Sequence, residues 1–221
     1  MNDLKILIAD DHPLFRVAIR QALQDALAPK EVIEAHSAST LASAIEAISD
    51  TGLVLLDLAI PGARGFSSLV WLRSERPDIP VIVISSSELP RIVRRAQQFG
   101  AAGFIPKSSP VETIGTAVRA VMSGDVWFPP LTVEHSENDA RLIAGLSRLT
   151  PQQFRVLMLM AEGLLNKQIA TVLGLAENTV KIHVTAILSK LNCRSRTQAA
   201  ILVRSLNLEE DAKLPDLRSP P

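Results

Sequence analysis

The chain has one cysteine, Cys193, among its 221 residues, which excludes an internal disulfide. No charged-then-apolar leader opens it, so secretion is not expected. No apolar run approaches the roughly 20 residues that a membrane helix needs, so no membrane partner is expected and the sequence reads as cytoplasmic. It also lacks net charge, with 23 basic and 23 acidic side chains. What it has is apolar content, at 47% hydrophobic, ample for one or two domains with cores of their own.

The charge balance is uneven along the chain. Residues 1–123 carry a net −1, residues 124–147 a net −3, residues 148–208 a net +6, and residues 209–221 a net −2. About sixty residues near the end thus hold all the excess positive charge, the electrostatic footprint of a nucleic-acid-binding module.

Residues 53–58 (LVLLDL) form an apolar run between Gly52 and Pro61-Gly62. Such a run reads as a strand buried on both faces, the kind found in parallel sheets, and it places Asp57 at the strand's carboxyl end. Residues 5–9 (KILIA) repeat the pattern and end in Asp10 and Asp11, with Pro13 just inside a following helix. A weaker strand spans residues 31–35, and Thr40 is placed to cap a helix running to Ile48. Residues 81–84 (VIVI) end in Ser85, and a short strand at 103–105 leads to Lys107. Helices are expected at about 65–75, 89–99 and 111–121. Five strands alternating with five helices argue for an α/β doubly wound five-stranded parallel sheet. Ligands of such sheets bind at the strand carboxyl ends, where Asp10, Asp11, Asp57, Ser85 and Lys107 all fall.

Three carboxylates in one crevice repel, so they should hold a hard divalent cation; oxygen ligands with room for water suit Mg2+. A carboxylate beside that cation can attack phosphorus and form an aspartyl phosphate, with a lysine offsetting charge on the phosphoryl oxygens. Asp57, from a central strand, is the expected nucleophile. Taken alone, Asp57 reads equally well as a helix cap, Ser85 as a cap and Phe104 as core; convergence on one edge favours the chemical reading. His12 reads as a turn residue, His183 as a partly packed helix residue, and Trp71 and Trp127 as packing residues.

On these residues the segment 1–123 resembles the receiver domain of bacterial two-component response regulators, and Asp-Asp-His-Pro-Leu-Phe-Arg from Asp10 resembles the NarL/FixJ type. The resemblance implies Asp57 as phosphoacceptor for a sensor histidine kinase, and a cation held by Asp10, Asp11, Asp57 and the Ala59 backbone carbonyl. It implies Ser85, Phe104 and Lys107 as the groups that respond to the phosphoryl. In the family the bond after the lysine is often cis, whereas here Ser108 follows, and a cis bond there would cost about 3–4 kcal/mol. Ala59 and Ser87 fill the positions that influence attack of water on the phosphate.

Residues 124–147 carry no strand pattern and read as a linker, with Leu142, Ile143 and Leu146 suggesting a short helix. Thr150, Pro151 and Gln153 then form a capping box opening a helix that Gly163 stops. Helices at 166–173 and 177–192, with Gly174 between them, have helix-turn-helix spacing. In the latter helix Val180, Val184, Ile187, Leu188 and Leu191 share an inward face, opposite Asn178, Ile182, Thr185 and Ser189, with Lys181 on the flank. An isoleucine among small polar residues and a lysine suits a major groove, where a methyl can meet thymine and a lysine guanine or phosphate.

Residues 149–208 resemble the four-helix DNA-binding domain of the LuxR type. The resemblance implies base contacts from Lys181, Ile182 and Thr185, phosphate contacts around Asn166, Lys167 and Thr179, and a last helix, about 197–206, that pairs two copies. Ala176 replaces the usual N-capping serine. The tail from Glu209, with Pro215, Pro220 and Pro221, is expected to be disordered. The expectation is a DNA-binding transcription regulator controlled by aspartate phosphorylation, a homodimer when phosphorylated or bound to double-stranded DNA. A phosphorylation-independent regulator, its receiver serving as a dimerisation or ligand module, is the alternative. A phosphatase using Asp57 would need an acid where Ala59 stands, so no enzyme is expected.

Overall fold

The computed structural model describes residues 4–47, 51–63, 65–130, 144–146 and 148–204. The chain divides into two compact units, Met1–Glu137 and Asn138–Pro221.

The first unit alternates strands and helices: β1 (Lys5–Ala9), α1 (Pro13–Leu27), β2 (Glu31–Ala35), α2 (Ala38–Ala47), β3 (Thr51–Asp57), α3 (Ser67–Glu75), β4 (Val81–Ser85), α4 (Pro90–Gln98), β5 (Gly103–Pro106) and α5 (Val111–Met122). The strands pair in parallel in the order β2-β1-β3-β4-β5. The chain therefore reverses its direction of travel across the sheet beside β1, and the carboxyl ends of β1 and β3 flank that switch point, where crevices form in such folds. Alternation along each strand supplies both faces. Ile6, Ile8, Leu53, Leu55, Ile82, Ile84 and Ile105 pack with Ile19 and Leu23 of α1 and with Ile114, Val118 and Val121 of α5. Each such side chain, taken fully from water, contributes about 1.5–3 kcal/mol, so strand positions near the site are held rigidly from below. Phe66 and Phe99 pack with ring centroids 5.3 Å apart.

Two local readings change. Ser37, not Thr40, stands before α2: Thr40 N donates to Ser37 Oγ (3.2 Å), and Leu41 N to the Ser37 carbonyl (2.9 Å). Thr40 Oγ1 instead accepts from the His36 and Ser37 amides, 3.0 Å each, so the threonine answers the cap from inside the helix. Ile48 lies outside the described residues. The segment after Gly124, expected to leave the domain as linker, returns to the sheet edge. Trp127 forms a parallel bridge with Gly103, its amide donating to Ala102 O (3.1 Å) and its carbonyl accepting from Phe104 N (2.7 Å). A Cβ on Gly103 would stand 3.1 Å from Trp127 O, so the glycine permits this close approach. Sequence periodicity misses it because a single bridge has no period.

The second unit contains α6 (Pro151–Ala161), α7 (Asn166–Leu173), α8 (Glu177–Lys190) and α9 (Arg196–Arg204). The Thr150 capping box forms in both directions: Gln153 N donates to Thr150 Oγ1 (3.3 Å), and Thr150 N to Gln153 Oε1 (3.1 Å). Gly174 closes α7 in the left-handed region (φ 64), where a side chain would add strain. Ala176 leaves α8 without a side-chain cap. Val180, Ile187 and Leu191 are buried, while Val184 and Leu188 are half-buried. Residues 142 and 143, 205 and 206, and the tail from 209 lie outside the described residues. No peptide bond among the described residues is cis, so Lys107-Ser108 is trans.

Candidate functional site

The carboxyl ends of β1, β3 and β5 meet over one crevice. Because β1 and β3 are hydrogen-bonded neighbours, Asp10 and Asp57, each just at a strand end, stand side by side although 47 positions separate them in the numbering. Both are buried, Asp10 at 1% exposure and Asp57 at 2%. Lys107 reaches across from the end of β5, its Nζ lying 2.7 Å from Asp10 Oδ2 and donating to Asp57 Oδ2 at 2.8 Å. The other Asp57 oxygen accepts the Ala59 amide at 3.0 Å. Burial pulls the Lys107 ammonium down, but its close contacts with the Asp10 and Asp57 carboxylates and their negative charge outweigh it and hold its pKa above the ordinary 10.5. The lysine is therefore charged here, and its ammonium also lies 5.0 Å from the Phe15 ring centroid.

Asp11 is half-buried beside them, and donor atoms of Asp10, Asp11, His12 and Asp57 all lie within 4.8 Å of one another. Asp10 Oδ2 and Asp11 Oδ1 are shielded from solvent yet accept no aligned hydrogen bond; the Lys107 contact to Asp10 Oδ2 is an ion pair without that alignment. Clustered, shielded carboxylates favour positive charge beside them; Lys107 supplies part of it, and the convergence of the acid oxygens fits a metal ion as well. Ala59 is exposed beside the cluster.

Ser85 ends β4 one position past Ile84, the register partner of Asp57, and so stands beside the acids rather than among them. Ser85 is 3% exposed; its hydroxyl oxygen accepts from Ser87 N (3.1 Å), and its carbonyl accepts from Lys107 N (2.7 Å), tying the ends of β4 and β5 together. Phe104 is fully buried. The Ser108 hydroxyl donates to Glu88, a second tie between the loops after β4 and β5.

Sequence reasoning passed over three contributors. His12, read as a turn residue, is the residue before α1, and its Nδ1 faces the acids at 2.8 Å from Asp11 Oδ1 and 3.2 Å from Asp10 Oδ1. Arg16 donates from Nη1 to the Asp10 carbonyl (2.8 Å) and from Nε to Glu34 (2.9 Å), which also meets Arg20, so α1 is fastened to β2 beneath the site. In the second unit Arg196 donates to Asn166 Oδ1 (3.3 Å), to Met160 O (3.4 Å) and to Leu164 O, bracing the start of α7 from α9. The available signal was position: His12 follows the acid pair directly, and Arg16 lies one turn further along α1.

The second unit presents α8. Asn178, Lys181, Ile182, Thr185 and Ser189 are exposed, Ile182 at 62%, and Thr179 is half-buried. Lys181 Nζ pairs with Glu177 at 3.1 Å, an exposed i,i+4 contact worth about 0.3–0.5 kcal/mol and easily exchanged for another anion. The Thr185 hydroxyl donates to the Lys181 carbonyl (3.1 Å), so its hydrogen is engaged within the helix. At the start of α7, Lys167 is exposed and Asn166 half-buried. No described helix is long and apolar enough to cross a membrane.

Comparison with known proteins matches both units. Residues 6–119 match the family described as "Response regulator receiver domain", and residues 147–203 match "Bacterial regulatory proteins, luxR family". The chain is 42% identical over 206 residues to the glycerol metabolism activator of Pseudomonas putida, covering 89% of this chain and 93% of that protein. It is 36% identical over 203 residues to the nitrate/nitrite response regulator protein NarP of Escherichia coli K12, covering 90% and 93%. Its fold is similar to that of RcsB from Salmonella typhimurium, with a TM-score of 0.54 at 24% identity over 93% of this chain and all of that one. A structure of two RcsB dimers bound to two parallel DNAs gives 0.55 at 24% identity, covering 92% of this chain and 99% of that one.

Proposed function

The chain belongs to the response regulators that join a receiver domain to a luxR-type DNA-binding domain, a phosphorylation-dependent class of transcription regulator rather than of enzyme, and from that premise we propose which of its residues do the work. Asp57 accepts the phosphoryl group from the phosphohistidine of a sensor kinase. An Asp57 oxygen bonds to phosphorus while the phosphorus–nitrogen bond breaks, its electron pair leaving with the imidazole. The observation that carries this reading is the Lys107 ammonium at 2.7 and 2.8 Å from Asp10 and Asp57, a positive charge already placed where phosphoryl oxygens would arrive.

Asp10, Asp11, Asp57 and the Ala59 carbonyl would hold Mg2+, which when bound neutralises charge on the phosphoryl oxygens. The Asp10 and Asp11 oxygens, which accept no aligned hydrogen bond, support that assignment. Ser85 hydrogen-bonds another phosphoryl oxygen, moving the β4-α4 loop that its Ser87 contact and the Glu88–Ser108 contact hold in the present arrangement. Phe104 follows into the space released.

In the second domain α8 enters the major groove of double-stranded DNA. Lys181, Ile182 and Thr185 meet base edges, with Asn178 and Ser189 at the two ends of the same face and Asn166, Lys167 and Thr179 on phosphates. The net +6 of residues 148–208 supports this assignment, as does the exposure of that face. Phosphorylation favours a homodimer that presents two such helices, and the protein works in the cytoplasm, where kinase and chromosome are both reached. The linker between the domains begins after Trp127, which still pairs with the sheet edge, and ends near residue 148.

Full-length protein is tested with beryllium trifluoride and Mg2+ by sedimentation and by retention of genomic DNA fragments. Tighter dimerisation or DNA retention that Asp57→Asn abolishes supports the proposal. No response in either protein would leave a regulator whose DNA binding ignores phosphate.

A further inference from the structure

Packing within the domain accounts for most of the large apolar side chains of α8. Val180 and Ile187 are buried and Val184 and Leu188 half-buried, whereas Ile182 stands 62% exposed on the other side, between exposed Asn178 and Thr185. Burial in the fold does not explain an isoleucine there. Thr185 follows three residues later, so the two side chains are neighbours on one face with Cβ atoms about 5–6 Å apart, between one and two base steps of about 3.4 Å.

The Thr185 hydroxyl is already committed. It donates to the Lys181 carbonyl at 3.1 Å, one turn back, which uses its single hydrogen and fixes the rotamer that aims its methyl. In this state Thr185 has no proton for the acceptors of a base edge, such as guanine O6 and N7, adenine N7 or thymine O4. It brings to the groove a methyl and oxygen lone pairs, and Ile182 brings hydrocarbon alone. An apolar side chain pressed onto a base donor or acceptor leaves that group dry and unpaired, which is unfavourable. The C5 methyl of thymine is the one apolar group that distinguishes base pairs in the major groove.

We propose that Ile182 and Thr185 form a methyl-reading pair that selects two thymines, one or two base steps apart, in each half-site. The proposal rests on the assignment of α8 to the major groove and names the base chemistry that this part of the face recognises. Lys181, on the flank with its ammonium 3.1 Å from exposed Glu177, is left as the donor for guanine or phosphate. Thymine is told from cytosine at both positions by a methyl group.

The experiment selects duplexes from a random library on full-length protein, with and without beryllium trifluoride and Mg2+. The enriched site is then remade with single thymines replaced by deoxyuridine, which removes the C5 methyl and keeps every hydrogen-bonding group. Filter binding should find two thymines per half-site whose replacement weakens binding about fourfold, the effect of one methyl taken from water. Ile182→Ala should erase the effect at one of them, and Thr185→Ser, which keeps the hydroxyl, at the other. Both residues are exposed, so both variants should melt close to wild type. Cytosine at either position should bind more weakly than 5-methylcytosine, which restores the methyl. Enriched sites indifferent to deoxyuridine, or methyl effects that persist in both variants, overturn the proposal and leave the groove assignment standing. A library that yields no preferred sequence overturns the groove assignment as well.

Discussion

Lys107 Nζ donates to Asp57 Oδ2 at 2.8 Å across fifty residues of chain. With Asp10 Oδ2 at 2.7 Å on its other side, this ammonium is the built-in counter-charge of two buried carboxylates. It lies between the two acids, so one side chain offsets the charge of both.

Replacing Lys107 by alanine should therefore make the receiver depend on added cation. The carboxylates lose their internal partner and repel, so the melting temperature in chelator should fall. A divalent ion at a hundred times its Kd adds about 2.7 kcal/mol to a protein that binds it only when folded. Mg2+ should raise the variant's melting temperature by more than it raises that of the wild type, as scanning calorimetry can measure. Equal increments would mean that the lysine and the cation do not share the same charge.

Lys181→Ala should weaken DNA retention and lower the slope of affinity against salt by about 1 if the side chain neutralises one phosphate, or relax base preference if it reads guanine. Its present partner is exposed Glu177, so the change should leave the far-ultraviolet spectrum and melting of the domain nearly untouched. Filter binding across a salt series separates these outcomes.

Glu34 supplies an acid-dependent prediction. Burial raises its pKa, but hydrogen bonds from Arg20 and Arg16, with their charges, outweigh that and hold the carboxyl below its ordinary 4.5. A depressed folded pKa gives stability that is present above 4.5 and is lost as pH falls through the folded value. The urea midpoint of the wild type should exceed that of Glu34→Gln at neutral pH, and the two should converge as the solution is acidified below 4.5.

Arg196→Ala should destabilise the DNA-binding domain by about 1–3 kcal/mol, since it strips donors from the carbonyls that end α6 and from Asn166. Denaturant unfolding reads the loss. DNA affinity should also fall at temperatures where the domain remains folded, because Asn166 at the head of α7 loses its brace.

Much of this protein was legible in its amino-acid order. Doubly apolar runs ending at Asp57, Ser85 and the Asp10-Asp11 pair announce buried parallel strands, because only a strand covered on both faces needs such runs. Thr150, Pro151 and Gln153 fix the start of α6 by local hydrogen bonds alone, and the spacing of Val180, Ile187 and Leu191 fixes which side of α8 is turned inward. Local signals of this kind carry their own geometry. What no run or period specifies is contact between residues far apart in the chain. The placing of His12 against three acids, the return of Trp127 to the edge of β5, the Arg16–Glu34 tie and the reach of Arg196 from α9 to α7 each depend on where the sheet and helices bring distant backbones. Sheet order decided the first three and helix packing the last, and the sheet order also set the charge and the donor atoms of the crevice.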